Sequence, residues 1–535
     1  MLYRDQILNK KIFAKIINYF SIFIYVFKTA EIIAISNYFG GMEMGKYYVS
    51  DQITRDVIRK LKSRENYLIG SEMGSGKNYW VREVLLPYAL DNNMRTLVLS
   101  HRKNNLEQQK NELEDYKQQC IAQFKGGMFD TITYQAFQNM IIRNDSKINS
   151  YDFIICDEAH YFVSDSSFNT KTELAFNFLN ENEKAIKIFM TATSDGLIYL
   201  PWKSELKSLN EANYYNHNVN NIYRYEQDET IASKVKDEVD QKHKVLIYHN
   251  SLETMGDFKI GDSRVLHSGN RESSDEYNQL IMKKSFDCDV LNSTKLITEG
   301  TEIKDDNVKT IVLHGISDID TFVQATARVR NQKINVYYKR ISLRSIQAKL
   351  RYLNKQLEYY DTYMELGETE FVRLHGLDVI SKNMKAFYLD VIIDPISNQS
   401  YTHLKVHQTG KAYLEYQCDM YEFMFLNGFE MFFERYFPEI QFYDLEQLKR
   451  EEFIKLDIIN NYLNKKIFKS HQLELIDMIC KKFGLRAKNG STNIGMRTIN
   501  SFFIDNHINF SIISKQEKDK TSKHFNKTYW MLIQI

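Results

Sequence analysis

Short apolar runs alternate with amphipathic stretches over the first 340 residues of the chain. Buried parallel strands give continuous apolar runs, whereas the helices between them show a period of about 3.6 residues. Candidate strands of a first unit lie at residues 67–70, 96–100, 131–135, 153–156 and 187–190, with helical stretches at 52–61, 78–90 and 104–116. A second series of strands follows at residues 245–248, 264–267, 290–292, 310–313 and 335–338, after a join near residues 205–225. The pattern predicts an α/β fold with two tandem parallel sheets, each covered by helices on both faces.

The pattern changes beyond residue 345. Ile346, Leu350, Leu353, Leu357 and Tyr360 mark one face of a long helix, and residues 385–465 are rich in Phe and Tyr, which core packing explains. Two helices (473–483 and 494–506) and two strands (509–514 and 528–533) follow, an order that predicts a winged helix. The loop between those strands carries Lys515, Lys518, Lys520, Lys523 and Lys527. It is either a DNA-binding wing or a solvated hairpin with ordinary surface lysines.

These patterns divide the chain into five parts. They are an N-terminal extension (1–45), a first α/β domain (46–215), a second α/β domain (216–343), a helical and aromatic-rich region (344–465) and a winged-helix domain (466–535). The apolar run at residues 16–27 is shorter than the ~20 residues that span a bilayer. We predict a buried or amphipathic helix there, or an extension upstream of a start at Met42 or Met44, rather than a membrane anchor, and no stable membrane association.

Charge and cysteine usage narrow the choice of partners. The 535 residues include 70 basic and 69 acidic ones, so nucleic acid would have to bind through local patches rather than through a global field. The five cysteines are scattered and form no C-x-x-C pair, which argues against a zinc site and a disulfide framework. We therefore expect a cytoplasmic or other reducing compartment that contains nucleic acid.

A glycine-rich turn follows the first apolar run and leads directly into a helix. Gly74, Ser75, Gly76 and Lys77 would form a phosphate cradle, in which backbone N–H groups surround an anion and the lysine reaches the β and γ phosphates of ATP. Asn78 stands where a hydroxyl residue normally ligates Mg²⁺, and its amide oxygen could replace that ligand. Taken alone, the loop could also be a chance glycine-rich turn.

Two carboxylates follow the apolar run at 153–156, in the order Asp157-Glu158-Ala159-His160. They would lie at the carboxyl edge of the first sheet, where ligands bind in such folds. Asp157 would hold Mg²⁺, and Glu158 would orient and deprotonate the attacking water. The alternative is an acidic helix N-terminus that complements the helix dipole.

Together with three later segments, these motifs resemble those of the superfamily 2 helicases of DEAH type. The later segments are Thr191-Ala192-Thr193, residues 294–302, and Gln324-Ala325-Thr326-Ala327-Arg328-Val329-Arg330. The resemblance covers roughly residues 47–340. It implies two RecA-like domains that clamp ATP at their interface while nucleic acid crosses both.

The resemblance also implies a role for each matching residue. Gln52 would read adenine, with a plain surface glutamine as the alternative; Ser100, His101, Arg102, Thr133 and Thr294 would contact nucleic acid; and Thr191 and Thr193 would relay the nucleotide state beside His160. Gly300 and Glu302, which replaces the usual aspartate, would contact the nucleotide. Gln324, Arg328 and Arg330 would act in catalysis, with Arg328 as the arginine finger on the γ-phosphoryl group.

Two departures from the helicase pattern concern the last motif. Ala327 replaces a glycine, and Arg330 comes two residues after Arg328 where many members have three, so it cannot occupy quite the usual place on a helix. The Arg-Val-Arg ending is closer to the viral origin-binding helicases.

The sequence therefore predicts an ATP-dependent helicase or translocase, with DNA favoured over RNA as the track. Arg497 and Asn500 of the terminal domain would recruit it to duplex DNA, in the replication of a virus, plasmid or mobile element. An RNA helicase is one alternative. A DNA-binding, initiator-like protein with a weakened ATPase, suggested by Asn78, Ala327 and Glu302, is another. The oligomeric state is left open.

Overall fold

The structure is a computed structural model. It describes residues 48–101, 129–210, 218–297, 301–330, 332–377, 380, 384–393, 399–437, 440–486, 491–492, 494–505 and 508–535. The predictions for residues 1–45, the helix at 104–116, Arg102 and Gly300 lie outside the described residues. Across the described ranges, no helix combines the length and the apolar character that crossing a bilayer requires.

The first domain is built on a six-stranded parallel sheet. Its strands are β1 (Asn66–Gly70), β2 (Thr96–Ser100), β3 (Phe129–Thr133), β4 (Phe153–Asp157), β5 (Ile186–Thr191) and β6 (Leu206–Ser208), in the spatial order β3-β2-β4-β5-β1-β6. The five predicted strands are confirmed, and β6 is an addition at the edge beside β1. The third strand ends two residues earlier than predicted, because the Thr133 hydroxyl accepts a hydrogen bond from the backbone of Ala136 and starts a helix.

The second domain is built on another parallel sheet. Its strands are β7 (Val219–Tyr225), β8 (Lys244–His249), β9 (Ser263–Leu266), β10 (Val290–Ser293), β11 (Val308–His314) and β12 (Ile334–Lys339), in the order β7-β12-β11-β8-β10-β9. Five of the six were predicted. The prediction missed β7, in which Asn220, Asn221 and Arg224 interrupt the apolar run. The predicted join at 205–225 therefore contains β6 and β7, one from each sheet.

The region from residue 344 to 465 does not stand apart from the second sheet. It contains a long helix (Leu343–His375) with a kink at Gly367, an antiparallel hairpin of β13 (Phe387–Ile393) and β14 (Ser400–Val406), and the helix Gln408–Asn427. Strand β15 (Gln441–Asp444) then pairs in parallel with β7 and becomes the seventh strand of the second sheet. Arg224 of β7 holds it through Asp444, 2.7 Å away. Strand β15 of this region is therefore part of the second sheet, while the predicted domain boundaries stay a prediction.

The terminal unit has the predicted order of elements. Helices Lys469–Phe483 and Met496–Asp505 precede an antiparallel pair, β16 (Phe510–Gln516) and β17 (Thr528–Gln534). These elements enclose an apolar core of their own, which includes Leu475, Ile479, Ile499, Phe503 and Leu532. The assignment of this unit as a winged helix stays a prediction.

Short helices precede β1 and follow most of the strands of both sheets. In the first domain they are Val49–Gln52, Arg55–Ile58, Lys77–Trp80, Leu86–Asp91, Tyr134–Ile142, Tyr161–Ser164 and Thr172–Glu181, with a π-helical turn at Val81–Leu85. In the second domain they are Asp228–Asp240, Asp275–Lys283 and Ile319–Thr326, and later come Met431–Tyr436, Leu445–Phe453 and Asn460–Tyr462. Gln52 ends a helix, whereas the sequence predicted that it opens one.

Candidate functional site

The phosphate loop, residues 71–76, joins β1 to the helix that begins at Lys77. Gly74 and Gly76 have φ values of 81° and 83°, a backbone conformation that side chains disfavour. The Lys77 ammonium donates to the carbonyl of Ser71 at 2.5 Å and to that of Glu72 at 2.9 Å. The loop, its glycines and its lysine therefore adopt the arrangement that a phosphate cradle requires.

Tyr48 covers this loop from the N-terminal side. The backbone N–H of Val49 donates to the Ser75 carbonyl at 3.0 Å, and a Cβ at Gly76 would lie 3.3 Å from Tyr48 Cδ1. Gln52 lies in the same short helix and is partly exposed. Its position beside the loop is compatible with the predicted adenine contact, which stays a prediction.

Replacing Gly76 by alanine should raise the Kd for ATP about tenfold, because the left-handed conformation costs an L-residue roughly 1–2 kcal/mol and the new methyl group meets Tyr48. The measurement is a titration with a fluorescent ATP analogue. Gly74→Ala is the matched control, since it has the same backbone strain but no heavy atom within 4 Å of the added Cβ. A Kd that rises no more than in the control would contradict the contact with Tyr48.

The carboxylates of the second motif lie beside Lys77, because β4, β5 and β1 are neighbours and all end at the same edge. Burial lowers the pKa of the Lys77 ammonium, and the charges of Glu158, Asp157 and Glu72 oppose that change. A cation beside two carboxylates at the carboxyl edge suits a nucleotide phosphate with a divalent metal.

Glu158 has an unusual backbone and an uncommitted carboxylate oxygen. Its φ is 50°, so the chain turns sharply after β4 and aims the side chain away from the strand. Its Oε2 is buried and forms no hydrogen bond within the described part of the chain, and it lies 3.5 Å from His160 Nδ1. An unsatisfied buried carboxylate oxygen is costly, so a donor such as water fits here.

Oxygens on two elements would be available to hold Mg²⁺. Asp157 ends β4 and is 4% exposed, while Asn78 is exposed in the first turn of the helix that follows the loop. Carboxylate, amide and phosphate oxygens are the ligands that Mg²⁺ prefers, so the residues present fit the ion.

Arg328 extends from the second domain to the phosphate loop of the first. It is 5% exposed, and its Nη2 lies 3.0 Å from Met73 Sδ. Its Nε donates to the Gln324 carbonyl at 3.2 Å, and its Nη1 lies 3.5 Å from the Thr301 carbonyl. The guanidinium is therefore directed into the cleft between the domains, as an arginine finger must be.

A second contact across the cleft joins the motif histidine to the last motif. Gln324 Nε2 lies 3.3 Å from His160 Nε2, and His160 Nδ1 lies 3.1 Å from the Thr191 hydroxyl. The same hydroxyl donates to the Thr193 carbonyl at 3.2 Å. The predicted coupling residues are thus brought together in one hydrogen-bonded chain that runs from the first domain to the second.

Glu302 and Arg330 form an ion pair with each other. Arg330 Nη1 donates to Glu302 Oε1 at 3.1 Å, and Lys284 and Lys304 also pair with that carboxylate. These cations lower the pKa of Glu302, although burial opposes the change. Ala327 has ordinary φ and ψ values of −83° and 1°, so the loss of glycine at this position causes no backbone strain.

Two of the residues that the sequence predicted to contact nucleic acid have buried side chains. Ser100 is fully buried, and His101 is 3% exposed with its Nε2 2.9 Å from Asp165 Oδ2. Both side chains are buried because Ser100 ends the buried strand β2 and His101 follows it directly, and their predicted contact with nucleic acid stays a prediction. Thr133 caps a helix, and Thr294 follows β10 with its backbone N–H on Leu266; both are partly exposed.

The two predicted contacts of the terminal unit differ from each other. Arg497 is exposed on the helix Met496–Asp505. The Asn500 side chain instead donates to the Ile512 carbonyl at 2.9 Å and accepts from its N–H at 2.8 Å. Asn500 therefore fastens the hairpin to the helix, and its predicted contact with nucleic acid stays a prediction.

Sequence reasoning missed two residues of the site. Met73 contacts Arg328, but no motif distinguishes it from other positions of the loop. Tyr416 touches both domains and lies in the aromatic-rich stretch, where composition indicated only core packing.

A comparison with known protein families finds a match for most of the first domain. Residues 43–195 match the family model described as type III restriction enzyme, res subunit (ResIII). A comparison with curated proteins gives no match. Similar solved structures include Saccharomyces cerevisiae Dbp5 bound to RNA and ADP–BeF3 (12% identity, 53% of this chain and 82% of that chain, TM-score 0.39), Escherichia coli DEAH/RHA helicase HrpB (13%, 56% and 43%, 0.40) and Mycobacterium smegmatis helicase Lhr bound to single-stranded DNA and AMP-PNP (13%, 54% and 45%, 0.37).

The family match and the site geometry agree. The ResIII match spans the phosphate loop, the Asp157-Glu158-Ala159-His160 motif and β5, and the second sheet adds Gln324 and Arg328 to the same cleft. Residues 43–195 are therefore similar to the ResIII family, and the second sheet adds side chains that face the phosphate loop of this domain.

Proposed function

We propose that this enzyme uses ATP hydrolysis to move along or unwind DNA. The observation that carries the proposal is the pair of contacts across the cleft, Arg328 with Met73 and Gln324 with His160. Nucleotide bound at the phosphate loop would meet residues of both domains, so its hydrolysis would change how tightly they are held together. That change is what would drive movement along a strand.

In the proposed reaction, Glu158 accepts a proton from a water molecule while the water oxygen attacks the γ-phosphorus. The bond to the β–γ bridging oxygen breaks, and ADP and phosphate leave. Lys77 and Arg328 would neutralise the charge that accumulates on the phosphate oxygens. Asp157 and Asn78 would hold Mg²⁺, which supplies Lewis-acid stabilisation of the same charge.

DNA as the track is supported by the surface of the terminal unit. Five exposed lysines lie on the hairpin and its loop: Lys515, Lys518, Lys520, Lys523 and Lys527. Of the nearby acids, Glu517 is buried and paired with Lys466 at 2.6 Å, so it offsets little of that charge. These lysines outnumber the exposed Asp519 of the same loop and give the hairpin a cationic face that suits a phosphate backbone, and Arg497 is a further exposed cation of the terminal unit.

The proposed track is tested by measuring phosphate release with no polymer, single-stranded DNA, duplex DNA or RNA. We expect DNA to raise kcat at least tenfold, and Lys77→Ala to abolish turnover under every condition. Stimulation by RNA alone would exclude DNA as the track and establish an RNA helicase. A parent protein without turnover under all conditions would instead support a binding protein with a decayed ATPase.

The cationic face is tested by replacing Lys518, Lys520 and Lys523 with alanine. We expect weaker duplex binding and a slope of log K against log salt that is smaller by about 2 to 3. Alanine at three exposed lysines elsewhere, Lys60, Lys236 and Lys259, is the matched control. An unchanged slope in the first variant would show that the hairpin is only a solvated surface.

The setting of this activity is also a proposal. The four described cysteines, Cys156, Cys288, Cys418 and Cys480, are buried free thiols, which supports a cytoplasmic or other reducing compartment. The Arg-Val-Arg ending of the last motif supports a role in the replication of a virus, plasmid or mobile element. The ordinary backbone of Ala327 removes one argument for a weakened ATPase.

A further inference from the structure

The helix Gln408–Asn427, the bridging helix, lies against both α/β domains. Its contacts with the first domain are Ser166 Oγ to the Thr409 carbonyl (3.0 Å), Thr172 Oγ1 with Thr409 Oγ1 (2.9 Å), the Gln408 N–H to Glu173 (2.7 Å) and the Tyr199 hydroxyl to Asp419 (2.7 Å). Its contacts with the second domain are the hydroxyls of Tyr416 and Tyr421, which reach Asp320 and Ser317. A helix from outside the two sheets therefore joins them.

Tyr416 touches both domains at once. Its hydroxyl donates to Asp320 Oδ2 of the second domain at 2.9 Å. Its ring lies against Gly196 of the first domain, where an added Cβ would be 3.2 Å from Tyr416 Cδ1. The side chain is 7% exposed, and its ring centroid lies 5.7 Å from that of Tyr199.

Both ends of this bridge lie next to residues of the ATP site. Asp320 is on the helix Ile319–Thr326, the finger helix, one turn before Gln324, which contacts His160. Arg328 follows that helix directly and donates to the Gln324 carbonyl. Gly196 comes three residues after Thr193 in the hydrogen-bonded chain of the first domain. Tyr416 thus contacts both the finger helix and the segment that follows Thr193, and these two elements must meet around the γ-phosphate.

The Tyr416 hydroxyl affects the pKa of the Asp320 carboxyl group. Burial and the charge of Asp318 raise the pKa of Asp320, and the hydrogen bond from Tyr416 opposes that change. Asp318 itself is 3.4 Å from Lys295, and its side chain also caps the finger helix through the N–H of Thr321. Side-chain contacts of Asp318 and Asp320 therefore hold the start of the finger helix in place.

We infer that Tyr416 is a positioning residue, which fixes the finger helix against the first domain and thereby places Arg328 at the phosphate loop. The inference rests on the proposed role of Arg328. Tyr416 acts through Asp320, to which its hydroxyl donates. Its loss should lower the rate of the chemical step and leave ATP binding intact, because only the alignment of the finger changes.

The test is Tyr416→Phe, which removes one oxygen and keeps the ring against Gly196. We expect kcat for ATP hydrolysis to fall about tenfold with KM unchanged within about twofold. Tyr421→Phe is the matched control: it lies on the same helix and loses one hydroxyl contact, with Ser317 of the second domain alone, so its kcat should stay at the parent value. The Tm of both variants should fall by similar amounts.

A second variant approaches the same contact from the first domain. In Gly196→Ala the new methyl group meets Tyr416 Cδ1 at 3.2 Å and Val163 Cγ1 at 3.1 Å, so the ring must shift. We expect kcat to fall here too, and the effects of Gly196→Ala and Tyr416→Phe to be less than additive in the double variant, because both act through one side chain.

The outcomes separate this inference from the proposed function. If Arg328→Ala is slow while Tyr416→Phe and Tyr421→Phe have equal kcat values, Tyr416 is only a packing residue and the inference is overturned alone. If Arg328→Ala keeps the parent rate, the proposed arginine finger is wrong and the inference is overturned with it. A fall in kcat that is confined to Tyr416→Phe and Gly196→Ala supports the inference.

Discussion

Replacement of Arg328 by alanine should slow ATP hydrolysis by about 10³- to 10⁵-fold. The guanidinium is buried, held by the Gln324 carbonyl and directed at Met73 of the phosphate loop. With nucleotide bound at the phosphate loop, the guanidinium would stabilise the leaving phosphoryl group. The measurement is single-turnover phosphate release at saturating ATP, with the Kd for ATP measured separately and expected to change little.

Two neighbouring substitutions test whether the effect belongs to this guanidinium. Arg328→Lys keeps the charge but loses the planar set of donors, so it should be nearly as slow as the alanine variant. Arg330→Ala removes the same group two residues later, where Glu302 already pairs with it, and should be much faster than Arg328→Ala. An Arg330→Ala enzyme as slow as Arg328→Ala, or an Arg328→Ala enzyme within threefold of the parent, would show that the finger has been misassigned.

The sheets could be predicted where burial on both faces makes a strand apolar throughout. Strands β4 and β8 have this character, and both were located within one or two residues. Strand β7 escaped prediction because polar residues interrupt its pattern, and β15 because it pairs with a strand more than 200 residues earlier. No local period encodes such a pairing, since it depends on contacts such as Arg224 with Asp444 that form only in the folded chain.

The candidate site also contains residues that the sequence could predict and residues that it could not. The residue types that phosphate and water chemistry require, such as Lys77 and Glu158, could be located from motif spacing, and the structure brings them to one edge. The hydrogen bonds of Asn500 to Ile512 could not be predicted, because a polar residue on an exposed-looking helix can equally bind a neighbouring backbone. Met73 and Tyr416 could not be found at all, since their importance comes only from what lies opposite them in space.

Replacement of Glu158 by glutamine should lower kcat by about 10²- to 10⁴-fold while the enzyme still binds ATP, because the amide keeps the shape of the side chain but cannot take a proton from water. The structure supports this role through the buried Oε2, which forms no hydrogen bond within the described part of the chain and lies 3.5 Å from His160 Nδ1. The measurement is multiple-turnover hydrolysis together with a direct ATP titration.

Asp157→Asn distinguishes the base from the metal ligand. It should weaken Mg²⁺-dependent ATP binding as well as turnover, because Asp157 would hold the ion, whereas Glu158→Gln should alter turnover far more than affinity. The charge of Glu158 also counters the effect of burial on the Lys77 ammonium, so the glutamine variant should lose a modest part of its affinity for ATP, with the loss growing as pH rises and Lys77 begins to deprotonate. A Glu158→Gln enzyme that turns over at the parent rate would transfer the role of base to another group. An affinity loss as large as that of Asp157→Asn would instead mean that both carboxylates serve the metal.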